Sequence, residues 1–335
     1  MSLKDYIFLP EKDPELFQFY KKQEACDWSA EEMNFTKEKD DYLSSPKSIQ
    51  NLFKKIIGFF LIGDGLISEA LVSYLSKAVE EKNWPKVFYI SMQLKIENTH
   101  AETYSKAALT IVPKEEHNEI ITMCQEKECL RKKAEWLQKY CDNPESLFLE
   151  KVACGCGEGI FFVAQFAVIF YMRRLNKFKN FIFSNEQISK DETLHRNEKC
   201  YEAKVELIKN NYPKEDIEKA TKLIMEAVEI EKEFAKDLLS EPIMGKQADL
   251  DAGFTLENIE KFIEMLADQI CHLSGMPLIY KTNVELLWMT DINLAQKTNF
   301  FELDNVGSYR KLTPKEETEE EGKEIDFNNV EEIDF

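Results

Sequence analysis

The chain has 335 residues, of which 44% are hydrophobic, so it can bury a sizeable core in one large domain or two small ones. Its formal net charge of −19 argues against broad electrostatic binding to nucleic acid or to an anionic membrane. Only 11 Gly and 10 Pro are present, and this low turn content favours helices over many short strands.

The N-terminal 25 residues are expected to form an irregular arm with room for a short helix, and they lack the apolar core of a signal peptide. None of the 8 Cys belongs to a CxxC pair, and the closest pair is Cys154-Gly-Cys156. We therefore expect reduced thiols in a cytoplasmic protein rather than a disulfide framework.

Helical patterns recur along the rest of the chain, between turn signals that contain proline. The predicted helices cover residues 48–80, 84–110, 115–140, 145–173, 185–210, 214–238 and 256–283. The longest apolar run, from Gly159 to Met172, contains Gln165 and is shorter than the roughly 20 residues of a membrane span. It predicts a helix that is buried on all sides in a bundle, so we expect no membrane partner.

We expect one helical domain over residues 26–290, followed by a flexible tail over residues 291–335. The segment from Glu316 to Phe335 contains ten acidic residues and one Lys, which is typical of a disordered, solvated chain.

Two segments share a short motif, Glu97-x-x-His100 and Glu192-x-x-His195. Side chains three residues apart project from one face of a helix, so each motif aims an oxygen and a nitrogen donor at one point. One copy alone would more simply be a solvated helix face. Two copies, which use two of the 4 His, match half of the ligand set of a bundle that holds two metal ions.

Two further carboxylates complete that set. Asp64 and Glu158 each lie in an otherwise apolar helix, where an ionised carboxylate is costly unless it is paired or binds a cation. Four carboxylates and two imidazoles suit two iron ions per chain, and they suit manganese as well.

Tyr104 follows His100 by four residues and so lies on the metal-facing side of the same helix. A phenol at that position can be oxidised by one electron, and an apolar surround would protect the resulting radical. Phe162 and Phe166 share the face of Glu158, and Ile188 precedes Glu192 by four residues. We expect these three side chains to line the radical pocket.

The sequence resembles the small subunit of class I ribonucleotide reductase, of the eukaryotic and large-DNA-virus type. The segments that carry the resemblance are DWSAEEM, IGFFLIGDGLISEAL, ENTHAETYSKAAL, EGIFF, FSNEQISKDETLH, KTNFFELDNVGSY and the terminal EEIDF. The resemblance implies an all-α, ferritin-like helical bundle with additional helices, a homodimer, and a di-iron site that activates dioxygen. It implies the same six metal ligands and a stable tyrosyl radical on Tyr104.

The resemblance also implies a route by which the radical leaves the site. His100 and Asp191 would connect the metal to Trp28, and Tyr309 in the tail would pass the oxidising equivalent to a large subunit, which reduces ribonucleotides. The end of the tail would dock on that large subunit through Ile333, Asp334 and Phe335. A second Ile-Asp-Phe, at 325–327, has no assigned role.

Three positions depart from the family pattern, which usually has Ser at Ala101, Arg at Lys190 and Gly at Thr193. Lys190 keeps the positive charge but lacks the planar fork of arginine. Rival functions are a ferritin-like metal store, another di-iron oxidase of the same fold, and an inactive companion subunit. The complete set of six ligands argues against the companion.

Overall fold

A computed structural model of the chain describes residues 3–142, 144–211, 213–284 and 286, without the side chains of residues 3, 4, 64–67, 69, 124–126 and 142. This part of the chain consists of α-helices joined by short turns and single turns of 3-10 helix, and no strand occurs in it. The predicted all-α class is therefore confirmed. Predictions for Tyr309 and for the tail lie outside the described residues.

The helices of the described part follow one another with short connections. In chain order they are α1 (Pro14–Ala25), α2 (Glu38–Leu43), α3 (Lys47–Glu80), α4 (Trp84–Ile111), α5 (His117–Glu126), α6 (Glu128–Leu137), α7 (Leu147–Gly159), α8 (Val163–Met172), α9 (Lys179–Lys209), α10 (Lys214–Leu238), α11 (Lys246–Asp251) and α12 (Leu256–Leu273).

Polar side chains fix where several of these helices begin. Asp13 accepts a hydrogen bond from the Leu16 amide at 3.1 Å at the start of α1. Asn83 caps α4 in the same way, ahead of Pro85 in the first turn, and Thr255 caps α12. Each cap satisfies an amide that has no partner inside its helix, and each is worth about 1 kcal/mol.

The prediction of a single helix over residues 145–173 is wrong, because the α-helix is interrupted between the end of α7 and the start of α8. Buried ionisable side chains bind the backbone at the interruption: Lys133 Nζ donates to the Phe161 carbonyl at 2.7 Å, and the Ala164 amide donates to Glu231 Oε1 at 2.9 Å. Residues 147–175 are long and apolar enough to cross a membrane, but their most apolar window is completely buried in the bundle, as the sequence predicted for its core helix.

Three other predicted boundaries were also wrong. The helix predicted to reach residue 283 ends at Leu273, because Gly275 takes a positive φ of 77° and a proline follows it. The span 115–140 is divided into α5, α6 and a π-helical turn, Gln138–Asp142. Helix α9 begins at Lys179, six residues before the predicted start.

The centre of the bundle is formed where α3 packs along α4 and α7 packs along α9. Every residue of α8 is buried, so this helix forms part of the core beside them. Helix α1, within the N-terminal arm, packs on α4 and contacts α9. This packing brings the four helices that carry the predicted metal ligands into one interior region.

Candidate metal centre

Four buried side chains from α4, α7 and α9 converge in the centre of the bundle. Glu97, Glu158, Glu192 and His195 each offer a ligand atom, and these atoms all lie within 4.8 Å of one another. Their convergence follows from the helical spacing, because the Glu and His of each motif lie on one face of their helix. The structure therefore brings together four of the six predicted ligands around one point.

His100 joins the same cluster. Its Nδ1 atom lies 3.1 Å from Glu192 Oε1 and 3.4 Å from Glu97 Oε2. The Nδ1 atom of His195 lies 3.0 Å from Glu97 Oε1 and 3.3 Å from Glu192 Oε2. Both imidazoles thus present the same nitrogen to the same two carboxylates.

Asp64, the sixth predicted ligand, belongs to α3, which packs along α4. Its side chain is not among those that the structure describes, so its assignment as a ligand stays a prediction.

The charges of this cluster fit a bound cation. Burial, and then the neighbouring Glu192 and Glu97, raise the pKa of the Glu158 carboxyl well above its usual range. Glu158 Oε2 makes no well-directed hydrogen bond within the described part of the chain. Buried polar atoms are usually hydrogen-bonded, and a bound cation would give this oxygen a partner. Oxygen and imidazole donors in this number are suited to iron or manganese.

A chain of hydrogen bonds leads away from the cluster on the side of α1. His100 Nε2 lies 3.1 Å from Asp191 Oδ2, and Trp28 Nε1 donates to the same oxygen at 2.8 Å. Gln23 Nε2 donates to Asp191 Oδ1 at 2.8 Å. The structure therefore places the predicted residues Asp191 and Trp28 beside His100. Asp191 therefore orients both the imidazole of His100 and the indole of Trp28.

Tyr104 is completely buried on α4, one helical turn after His100. Its hydroxyl donates to Asn185 Oδ1 at 2.8 Å, and its ring stacks on Phe60 with centroids 4.3 Å apart and planes 6° apart. Phe162 and Phe166, which were predicted to line the pocket, pack on Phe60, at 5.7 Å and 5.5 Å between centroids. The pocket is thus an aromatic stack in which Phe60 lies directly against the phenol.

The third predicted lining residue, Ile188, is buried on α9. Among the departures from the family pattern, Thr193 is buried and its hydroxyl donates to the Ser189 carbonyl at 2.8 Å. Burial lowers the pKa of Lys190, which lines a cavity of about 790 Å³ together with Asp191 and Cys26. The side chain of Ala101 is half-buried.

Sequence reasoning missed four residues of this site. Three of them share a helix face with a predicted ligand: Phe60 precedes Asp64 by four, Gln93 precedes Glu97 by four, and Asn185 precedes Glu192 by seven. Gln93 donates to Glu158 Oε1 at 2.9 Å. The same spacing argument could have found these three. Gln23 could not be found in this way, because it reaches Asp191 across 168 residues of sequence.

A family model described as "Ribonucleotide reductase, small chain" matches residues 6–285. The ribonucleoside-diphosphate reductase small chain of Neurospora crassa is 33% identical over 309 residues, which cover 91% of this chain and 72% of that protein.

Two solved structures share the fold at 22% sequence identity. Dimanganese(II)-NrdF of Streptococcus sanguinis aligns with a TM-score of 0.71 over 84% of this chain and 96% of its own. The Rnr4 homodimer of Saccharomyces cerevisiae aligns with a TM-score of 0.69 over 87% and 89%. The likeness confirms the predicted helical-bundle fold.

Proposed function

This chain belongs to the ribonucleotide reductase small-chain family, and we propose that its buried cluster holds two iron ions that generate a stable radical on Tyr104. The chain is thus a subunit of an oxidoreductase. The observation that carries the proposal is the convergence of Glu97, Glu158, Glu192 and His195, with Tyr104 one helical turn after His100.

The residues that would hold the metal pair share oxygen or imidazole nitrogen donors and lie on four helices. They are Asp64, Glu97, His100, Glu158, Glu192 and His195. When bound, the metal pair supplies the electrons that reduce dioxygen and the oxidising power that removes one electron from the phenol. The donors also suit manganese, which is the metal of the similar dimanganese(II)-NrdF from Streptococcus sanguinis.

The side chains around Tyr104 position it and exclude water. Its hydroxyl donates to Asn185 Oδ1, and a neutral amide oxygen is too weak a base to keep a transferred proton. Asn185 therefore orients the phenol and is not the final acceptor of its proton. Because Tyr104 is fully buried and stacked on Phe60, an oxidised ring would be shielded from reductants in solvent.

We further propose that Asp191 and Trp28 carry the oxidising equivalent out of the site. The hydrogen bonds from Trp28 Nε1 to Asp191 Oδ2, at 2.8 Å, and between Asp191 Oδ2 and His100 Nε2, at 3.1 Å, support this route. Transfer to a large subunit through Tyr309, and docking through Ile333, Asp334 and Phe335, belong to the proposal as implied by the family. These residues lie outside the described part.

The proposal includes a homodimer, which is the assembly of the similar Rnr4 protein of Saccharomyces cerevisiae. Exposed apolar side chains on α3 support it, since Leu61, Ile62, Val72 and Val79 are 38–60% exposed. Leu61, Val72 and Val79 are spaced by 11 and 7 residues and so share one face of α3, and an exposed apolar face is typical of a surface that a second subunit covers.

A role as an oxidase of a separate small substrate is disfavoured by the space at the cluster. The cavity lined by Glu158, Phe162, Phe166 and Glu192 has a volume of about 20 Å³. Such a volume holds about one water molecule, so an organic substrate does not fit beside these ligands.

The test is anaerobic iron loading of the full-length protein, brief exposure to air, and electron paramagnetic resonance. Tyr104→Phe should bind iron as the wild type does, but give no tyrosyl signal and no nucleotide reduction with a large subunit. Tyr89→Phe is a matched control, because Tyr89 is also fully buried on α4. A tyrosyl signal of wild-type size in Tyr104→Phe would refute the assignment.

A further inference from the structure

Two cysteines lie close together outside the metal centre. The Sγ atoms of Cys141 and Cys154 are 3.5 Å apart. Cys141 belongs to the π-helical turn after α6, and Cys154 lies on α7. A disulfide requires a separation of about 2.05 Å, so the two sulfurs need to approach by about 1.5 Å.

The surroundings of Cys154 favour its thiolate. The Tyr74 hydroxyl lies 3.1 Å from Cys154 Sγ, within hydrogen-bonding distance. Lys151 lies one turn before Cys154 on α7, and its ammonium is 4.1 Å from the centre of the Tyr74 ring. The pKa of Cys154 is lowered most by the hydrogen bond with Cys141. The Lys151 charge and the hydrogen bond with Tyr74 lower it further, whereas burial raises it. Thiolates, rather than thiols, react with oxidants.

Other cysteines of the described part have different surroundings. Burial raises the pKa of Cys200 to about 11 and that of Cys271 to about 12, and both are fully buried. Cys154 and Cys141 retain 6% and 8% exposure. Cys129 is also 8% exposed, but burial raises its pKa. Cys129 is therefore as exposed as Cys141 and Cys154, but its surroundings do not favour a thiolate, so it serves as an internal control.

We propose that Cys141 and Cys154 form a peroxide-sensitive thiol pair that closes reversibly to a disulfide. This inference does not depend on the proposed function, because neither cysteine is a metal ligand or belongs to the radical pocket. The disulfide would join α7, one turn before Glu158, to the turn that follows α6.

The reaction proceeds in two displacements with hydrogen peroxide as the oxidant. The Cys154 thiolate attacks one peroxide oxygen, the O–O bond breaks, and hydroxide leaves and takes up the former thiol proton as water. Cys154 is then a sulfenic acid. The Cys141 sulfur attacks Cys154 Sγ, the S–O bond breaks, and the departing hydroxide takes the Cys141 proton as a second water. The two thiols lose two electrons, and the peroxide gains them.

The test treats the full-length protein with hydrogen peroxide and maps its peptides by mass spectrometry without reduction. A peptide pair linked through Cys141 and Cys154 should be the main product. Dithiothreitol should restore both thiols, and Cys129 should stay open to alkylation throughout. Equal survival of free thiol at Cys129, Cys141 and Cys154 would overturn the proposal.

Two variants test the order of the steps. Cys141→Ser removes the resolving thiol but keeps a hydrogen-bonding group beside Cys154, so Cys154 should accumulate as a sulfenic acid that dimedone traps; absence of this adduct would contradict attack by Cys154. Tyr74→Phe keeps the ring and removes the hydroxyl, and it should slow disulfide formation roughly tenfold. An unchanged rate would overturn the role of the Tyr74 hydroxyl in favouring the Cys154 thiolate. Cys129→Ala should react as the wild type does.

Discussion

Replacing Phe60 by alanine removes the ring that lies against Tyr104. Phe60 is 1% exposed, and it contacts Tyr104, Phe162 and Phe166 with ring centroids 4.3–5.7 Å apart. The substitution therefore opens a cavity lined by three aromatic side chains. Because α4, α8 and the turn before α8 hold these rings in the packed core, they cannot collapse fully into the space.

The expected loss of stability follows from the size of that cavity. Truncation of a fully buried Phe to Ala lowers the free energy of unfolding by about 3–5 kcal/mol. On the scale for domains of 150–250 residues, this corresponds to a decrease of about 6–20 °C in Tm, and the lower part of that range applies to a longer chain.

The measurement is urea unfolding of the metal-free protein, followed by circular dichroism, so that metal binding does not contribute to stability. Phe53→Ala is the matched control, because Phe53 is fully buried on the same helix and packs on Phe178 and Phe181 instead. Both variants should lose similar stability, but only Phe60→Ala should shorten the lifetime of a tyrosyl radical after iron loading. A loss below about 1 kcal/mol in Phe60→Ala would refute the cavity argument.

Three other predictions concern buried groups. Burial raises the pKa of Glu231 to about 7 from an ordinary 4.5. Between these two values the folded protein holds a proton that the unfolded chain has lost, so the free energy of unfolding falls as the pH rises from about 4.5 to about 7. Glu231→Gln should abolish this dependence, up to about 1.4 kcal/mol per pH unit in chemical unfolding; parallel curves for the two proteins would contradict it. Gly159→Ala should destabilise by about 1–3 kcal/mol in the same assay, because the new Cβ would clash with the buried Arg196 side chain at its Cδ. Gly155→Ala meets no atom closer than 3.4 Å and should be milder; equal losses in the two variants would refute the clash. Ferrous iron at 100 times its Kd should stabilise the wild type by about 2.7 kcal/mol, and Glu158→Gln should lose most of this gain in a thermal-shift assay; a full gain would remove Glu158 from the ligands.

The part of the site that follows from local spacing could be predicted from sequence. Glu97 with His100, and Glu192 with His195, lie on one helix face because of the helical repeat, and the structure brings both pairs together. The all-α class likewise followed from composition and periodicity. Helix α4 begins at the predicted Asn83-Trp84-Pro85 signal and ends within one residue of the prediction.

The remaining features depend on contacts that spacing does not encode. The interruption between α7 and α8 is accompanied by Lys133 and Glu231, which come from two other helices. An apolar run reads as one continuous helix when these partners are not known. Gln23 is a similar case, because its contact with Asp191 depends on how α1 packs on the bundle.

The four ligands that converge in the structure are separated by up to 98 residues along the chain, from Glu97 to His195. Such a site has high contact order, so no short segment of the chain can assemble it before the long-range packing of the bundle exists. Metal capture should therefore coincide with completion of the native topology. A fragment released before α9 has been synthesised would lack the donors of Glu192 and His195 and would not bind the metal.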